Sequence, residues 1–250
     1  MLIITADDYG MTVPATDRIL ECFRNRRITS ASAMVFMADS ERAATLARGT
    51  DLEIGLHINL DQAFTAPGVD DAMRHQHARV ARYLNGHRFA QALFNPLLTS
   101  AFRNLVRMQW NEFERLYGRP PDFVNGHHHM HLATNVLAQR LLPAGSKLRR
   151  PFTFASGEKG RVNRWYRSLV ARHLRKNFIT PHSLYSVEPI SDVDRLRKIT
   201  HLSAASTVEL EVHPETVAEC EFLLSPVFRQ LLEGTDVRGF KQLVAKGGAH

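Results

Sequence analysis

The sequence predicts an α/β fold built on a parallel sheet, and three observations carry that reading. Short apolar runs of β character alternate with longer stretches of helical spacing from the first residues onward. The opening stretch reads strand–helix–strand–helix–strand, an order that implies parallel pairing. Finally, four acidic or histidine clusters each follow such a run: Asp7-Asp8 after residues 2–6, His57 after 53–56, His127-His128-His129-Met130-His131 after 122–126, and His213 after 208–212. Parallel β/α folds gather their chemistry where strand C-termini meet the following loops. Residues distant in sequence are therefore expected at one mouth.

Residues 2–6 (Leu-Ile-Ile-Thr-Ala) form a short apolar run, as a buried strand requires. Ala15, Ile19, Leu20 and Phe23 then recur at helical spacing, which predicts a helix over 14–26. A second apolar run covers 32–36, a helix is expected at 40–47, and 53–60 alternates as a strand. In that strand Ile54, Leu56 and Ile58 share one side, and His57 lies on the other with Gly55 and Asn59. Residues 61–86 hold Pro67, Gly68 and several histidines and read as a long loop with one helical turn, a length that points to function. Apolar spacing predicts a helix over 90–117, ended by Gly118 and blocked by Pro120-Pro121. A helix at 133–142, a strand at 148–154, a basic helix and a strand at 183–187 follow. The remainder reads as a helix at 193–203, a strand at 207–212 and helices at 226–233 and 239–246. With no internal repeat or linker, residues 1–250 are expected to form one domain.

At 250 residues the chain can bury a substantial core. No run of 18 apolar residues offers a membrane span. The chain starts directly on a strand, without a basic and apolar leader, so a cytoplasmic protein is the expectation. Cys22 and Cys220 stand alone on helical segments and read as buried thiols rather than a disulfide framework. The net charge of +7 is unevenly spread: residues 147–176 hold ten Lys/Arg against Glu158 (+9), and the rest holds 22 against 24 acids (−2). The preferred reading of that stretch is a solvated helix face around Arg164, Arg167, Arg172 and Arg175. A patch for an anionic headgroup or phosphate is the sharper one, and two aromatics, Trp165 and Tyr166, are too few to argue for nucleic acid.

Two adjacent carboxylates repel, so either a cation holds Asp7 and Asp8 or one of them carries a proton. That suits a division of labour between metal ligation and proton transfer, although Asp8 could equally cap the next helix. A lone histidine in an apolar strand, such as His57, is more often a hydrogen-bonded core residue than a ligand. Four histidines in the five positions 127–131 are different. Extended, 127, 129 and 131 share a face; helical, 127 and 131 align; either presents two imidazoles to one site. Imidazole is the commonest metal ligand near neutral pH. His213 ends its strand before Pro214, and its position matches the other clusters, as a proton donor's would. His75, His77, His87, His173, His182, His201 and His250 lack such context and read as surface or structural. Arg149 could meet a phosphate or carboxylate, though a surface cation is an equal reading. There is no phosphate-binding Gly-rich loop, nucleophile elbow or Cys₄ zinc set.

Taken together, Ala6-Asp7-Asp8-Tyr9-Gly10, Gly55-Leu56-His57, Gly126-His127-His128-His129-Met130-His131 after Pro120-Pro121-Asp122, and Val212-His213-Pro214 resemble the YdjC-like carbohydrate deacetylase family, which includes chitooligosaccharide and hopanoid-biosynthesis deacetylases. The resemblance runs over nearly the whole chain. It implies a distorted, incomplete β/α barrel similar to polysaccharide deacetylases. It also implies one divalent ion, magnesium or zinc, held by Asp8, His57 and His127, with Asp7 as general base and His213 as general acid. The substrate so implied is an N-acetylated sugar, with a lipid-linked or phosphorylated acceptor fitting the basic stretch. Asn125 stands where many relatives have Asp, and Glu215 where a small residue is frequent. Nucleic acid is not expected as a partner, and a homodimer is the base-rate expectation. Two rivals are a non-haem iron oxygenase, which also uses two histidines and a carboxylate, and a non-catalytic binder of anionic partners through residues 147–176.

Overall fold

The computed structural model describes residues 1–154 and 160–244. Six strands form one parallel sheet in the order β4-β3-β2-β1-β6-β5: β1 (Leu2–Tyr9), β2 (Ser30–Ala33), β3 (Glu53–Ile58), β4 (Val124–Gly126), β5 (Ser183–Ser186) and β6 (Val208–Val212). Helices α1 (Val13–Arg24) and α2 (Ser40–Ala47) connect the first three strands, and α3 (Asp71–Gly86) and α4 (Thr99–Tyr117) lie between β3 and β4. Helices α5 (Thr134–Ala138) and α6 (Arg161–Leu174) precede β5, α7 (Val193–Leu202) precedes β6, and α8 (Val217–Leu224) and α9 (Pro226–Leu232) follow it.

The two edge strands share a neighbour. Leu148 bridges Val124, Arg149 N donates to Val124 O at 3.0 Å, and further along the same segment Thr153 N donates to Leu184 O at 2.9 Å. One irregular stretch therefore touches both β4 and β5, which is possible only if the sheet curls. The incomplete barrel is as expected. The stretch 148–154 itself is not a regular strand: an isolated bridge at Leu148 and scattered backbone hydrogen bonds hold it.

The pleat sorts the side chains into two environments. Leu2, Ile4, Ala6, Ile54, Leu56, Ile58, Val208, Leu210 and Val212 are buried outward against the helices. The opposite face closes at one end on a plug of Ile3, Phe123, Phe240 and Leu243, with the Phe123 and Phe240 rings stacked at 4.0 Å. Gly55 is small because a Cβ there would lie 2.5 Å from the Phe123 ring. Above the plug the interior turns polar.

Several elements differ from their sequence-derived bounds. Residues 71–86, read as loop, form a full helix: Asp70 caps it by accepting from Ala72 N and Met73 N, and Met73, His77, Val80 and Leu84 are its buried stripe. His77 concealed that stripe; its ring packs on Phe64 at 4.3 Å and burial pushes it down to about 4, so it behaves as an apolar residue. The helix expected from residue 90 begins at Thr99, because Asn95 precedes Pro96 and caps a short 3₁₀ turn, and Leu93 and Leu97 are exposed. The helix expected over 133–142 stops at Ala138, and Arg140 takes a left-handed φ of 52°. At the C-terminal end a 3₁₀ turn covers Phe240–Gln242, and the expected helix beyond residue 244 lies outside the described residues. Cys22 and Cys220 are buried free thiols on α1 and α8, as expected. Among the described residues no helix is long and apolar enough to cross a membrane.

Candidate active site

β1 does not end at Ala6 but continues to Tyr9 through an irregularity. Ala6 pairs with Ala31 and Tyr9 with Ala33, so three steps on β1 oppose two on β2. One extra residue is accommodated at the dyad, and Asp8 takes a φ of 66°. A regular strand would send Asp7 and Asp8 to opposite faces. The bulge turns both into the polar interior, where both are buried. A left-handed non-glycine residue is a local strain that persists where its surroundings fix it.

His57, at the end of β3, lies with Nε2 3.3 Å from Asp8 Oδ1, and His127 Nδ1 lies 3.0 Å from the same oxygen. These three groups can offer ligand atoms all within 4.8 Å of one another. Asn125 orients His57: its Oδ1 lies 2.7 Å from His57 Nδ1, which places the proton there and turns Nε2 toward Asp8. The Asn125 amide Nδ2 donates to Asp7 Oδ1 at 3.2 Å and to Ser32 Oγ at 3.0 Å. An amide can accept from the imidazole and donate to the carboxylate at once, which a second carboxylate could not. Asn125 thus steers His57 rather than His127.

Asp7 is clamped. Arg149 Nη2 donates to its Oδ1 at 3.0 Å and Nη1 to its Oδ2, and Ser32 Oγ donates to Oδ1 at 2.6 Å. Arg149 is fully buried, not the surface cation allowed by the sequence. It also contacts Glu209 Oε1 at 2.7 Å and Glu211 Oε2 at 2.9 Å. Burial opposes ionisation of Asp7, but Arg149, together with His57 and His213, outweighs it and holds the carboxyl well below the usual range. Asp8 is likewise held low, by hydrogen bonds from His127 and His57 against burial. Burial pulls the His57 imidazolium down, yet the Asp7 and Asp8 carboxylates prevail and push it up to about 9.

His213 stands opposite, with Nε2 3.9 Å from Asp7 Oδ2 and 3.6 Å from Glu211 Oε1. Its backbone N–H donates to Glu219, which fixes the turn after β6. Burial disfavours its charge, but Asp7, Glu211 and Glu215 raise its pKa above the ordinary histidine value. Burial pushes Glu211 up to about 7.

The histidine run is neither extended nor helical. It is a kinked 3₁₀ turn in which His128 and His129 have φ of 48° and 59°. The kink sends the rings apart. His127 meets Asp8; His128 Nδ1 meets Asp61 Oδ2 at 2.6 Å; His129 Nε2 lies 3.4 Å from Glu211 and packs on Phe152; His131 Nε2 lies 3.1 Å from Arg149 O. Burial pushes His131 down to about 3, so it is a neutral donor that pins the Arg149 backbone. Gly126 makes the turn possible, since a Cβ there would lie 2.9 Å from both His131 N and Ile58 O.

All five site residues expected from the sequence converge: Asp8, His57 and His127 as one cluster, with Asp7 and His213 beside it. Ser32, Asp61, Glu209 and Glu211 were missed. The signal for the glutamates was present, because 209, 211 and 213 alternate on one face of an otherwise apolar strand. Asp61 and Ser32 carry no such signal; both depend on loop and sheet geometry.

A carboxylate and two imidazoles with a shared gap suit a divalent ion, and His57 is already turned by Asn125 to offer Nε2. The fold and site thus define a parallel half-barrel protein with a candidate divalent-metal centre at its strand C-termini. Residues 1–234 match the family model described as YdjC-like protein, and the chain belongs to that family. It is 27% identical to a chitooligosaccharide deacetylase of Serratia marcescens over 137 residues, covering 54% of this chain and 52% of that one. It is 30% identical to a mouse carbohydrate deacetylase over 167 residues, 64% of this chain and 51% of the relative. The chain spans about half the length of these curated relatives. A solved Enterococcus faecalis protein, described as a candidate cellobiose-phosphate cleavage protein, superposes with a TM-score of 0.69 at 21% identity, covering 97% of this chain and 98% of that one, and shares the fold.

Proposed function

We propose that this chain is a metal-dependent hydrolase that removes the acetyl group from an N-acetylated amino sugar. The observation that carries the reading is the convergence of Asp8, His57 and His127 on one gap, with the Arg149-clamped Asp7 and His213 beside it. Family membership and relatives named as deacetylases favour amide hydrolysis over the oxygenase and non-catalytic readings.

Asp8, His57 and His127 would hold the ion, and two imidazoles with one carboxylate suit zinc better than magnesium. Such an ion, when bound, polarises the acetamide carbonyl and acidifies a water. Asp7, whose Oδ2 lies 3.9 Å from His213 Nε2, accepts the proton of the attacking water, while Arg149, Ser32 and Asn125 keep the carboxylate ionised and aimed. The depressed pKa makes Asp7 a weak base, so its contribution lies in orientation as well as basicity. His213, whose pKa the surrounding carboxylates raise above the ordinary histidine value, gives its proton to the departing amine nitrogen. The C–N bond breaks, and acetate and a free amino sugar result.

The test is acetate release from a panel of N-acetylated sugars with and without a chelator. Asp8→Ala and His57→Ala are expected to lose metal and turnover together. Asp7→Asn is expected to keep metal and lose turnover by a factor of about 10² or more. Full turnover in Asp7→Asn would overturn the assignment of roles.

A further inference from the structure

A cavity of about 700 Å³ opens directly beside the candidate centre, where His128 and His129 form part of its wall. Its far walls are the 88–92 turn on one side and α6 on the other. Helix α6 buries Ala171 and Leu174 against the protein. It also carries a second apolar stripe, Val162, Trp165, Tyr166 and Leu169, at i, i+3, i+4 and i+7, and these are 79%, 64%, 40% and 39% exposed. Val162, Trp165 and Tyr166 face the cavity, opposite Phe89, itself 51% exposed. Large uncovered side chains rimming a cavity next to a reaction centre mark a ligand surface.

The chemistry of the lining narrows the ligand. Among the described residues no Asp or Glu lines the cavity, whereas Arg88 and Arg167 do. Among the described residues neither guanidinium pairs with a carboxylate; Arg88 lies 4.6 Å over the Phe89 ring and Arg167 5.1 Å over the Phe154 ring. Of the neutral polar groups, Gln91 Nε2 donates to His129 O, and Asn163 Oδ1 accepts from Arg167 Nε at 2.9 Å. Exposed aromatic and aliphatic surface beside two guanidiniums suits an apolar group that carries an anion. The centre itself is lined by Asp7, Glu211 and Glu215, so polarity runs from acidic at the reacting end to basic and apolar at the far end.

We infer that this cavity binds an apolar chain carrying a phosphate-type anion, the aglycone of the sugar presented to the metal centre. The assignment of the head group as an N-acetylated sugar rests on the deacetylase reading above; the chemistry of the cavity does not.

Two measurements on the full chain separate the two. In the first, acetate release is followed from di-N-acetylchitobiose, octyl N-acetylglucosaminide and the octyl phosphodiester of N-acetylglucosamine, all below their micellar concentrations. The expected kcat/KM rises along that series, with the phosphodiester at least roughly tenfold above chitobiose. Trp165→Ala is expected to lower kcat/KM for both octyl compounds roughly tenfold and to leave chitobiose within about twofold. Arg88→Gln with Arg167→Gln is expected to erase the advantage of the phosphodiester over the neutral octyl compound. Chitobiose as the best substrate, or an equal loss on all three in Trp165→Ala, would overturn the inference. In the second, Trp165 fluorescence is titrated with octyl phosphate and octyl glucoside in a Trp110→Phe background. Saturable quenching by octyl phosphate, at lower concentration than by octyl glucoside, supports the cavity assignment even if no sugar releases acetate, an outcome that would sink only the deacetylase reading. Acetate release without that quenching counts against the cavity.

Discussion

Replacing Arg149 by methionine removes one buried cation from among three buried carboxylates. The guanidinium meets Asp7 Oδ1 at 3.0 Å, Glu209 at 2.7 Å and Glu211 at 2.9 Å. With an effective dielectric constant of about 20, each contact is worth roughly 5 to 6 kcal/mol of attraction, about 17 kcal/mol in all. Desolvating four charged groups costs several kcal/mol each and offsets most of that sum. Breaking such a network by deleting one partner leaves the others uncompensated and is expected to cost about 3–5 kcal/mol near pH 8. The pH dependence gives the sign. Asp7 has its folded-state pKa depressed, so its contribution is present above the ordinary value of 3.8 and is lost as pH falls through the depressed pKa. Without Arg149, burial raises that pKa instead, and the gap between wild type and variant shrinks toward acid. Chemical denaturation of both proteins at pH 5 and pH 8 reads this directly. Arg149→Lys keeps the charge but not the two-pronged geometry and should fall between them. A penalty under about 1 kcal/mol at pH 8, or one equal at both pH values, would refute the picture of Arg149 as counter-ion to Asp7.

Three further outcomes follow from the geometry. His57 is pushed up to about 9, so a cation must displace its proton; apparent metal affinity should strengthen up to about tenfold per pH unit below 9, read by calorimetric titration. Flat affinity between pH 6 and 8 would exclude His57 as a ligand. Gly126→Ala forces a Cβ to within 2.9 Å of two backbone atoms and should destabilise by about 1–3 kcal/mol, with metal binding impaired in the surviving fold. Asn125→Leu removes both the acceptor for His57 and a donor to Asp7; it should weaken metal binding by about 10–100-fold, whereas Asn125→Gln should restore less than full affinity because of its length.

The parts of the fold legible in the sequence were those with an unbroken period. The alternation of Ile54, Leu56 and Ile58 against His57 placed β3 and the facing of its histidine correctly. The stripe of α3 was there too, but one of its four apolar positions is a histidine, whose burial beside Phe64 only the fold can supply. The convergence of Asp7, Asp8, His57, His127 and His213 was readable because each lies in the last part of a strand or just after it. Their division of labour was not. It depends on the extra residue in β1, on the left-handed backbone at 128 and 129, and on Arg149, which arrives from an irregular segment without a strand's pattern.

That last segment ties assembly to chemistry. The stretch spanning from β4 to β5 both seals the gap in the sheet and delivers the guanidinium that keeps Asp7 ionised. A molecule still open along that seam has the Asp7 carboxylate unclamped, however well its helices are packed. Turnover should therefore appear late in refolding and vanish early on heating, before the bulk of the helical signal is lost.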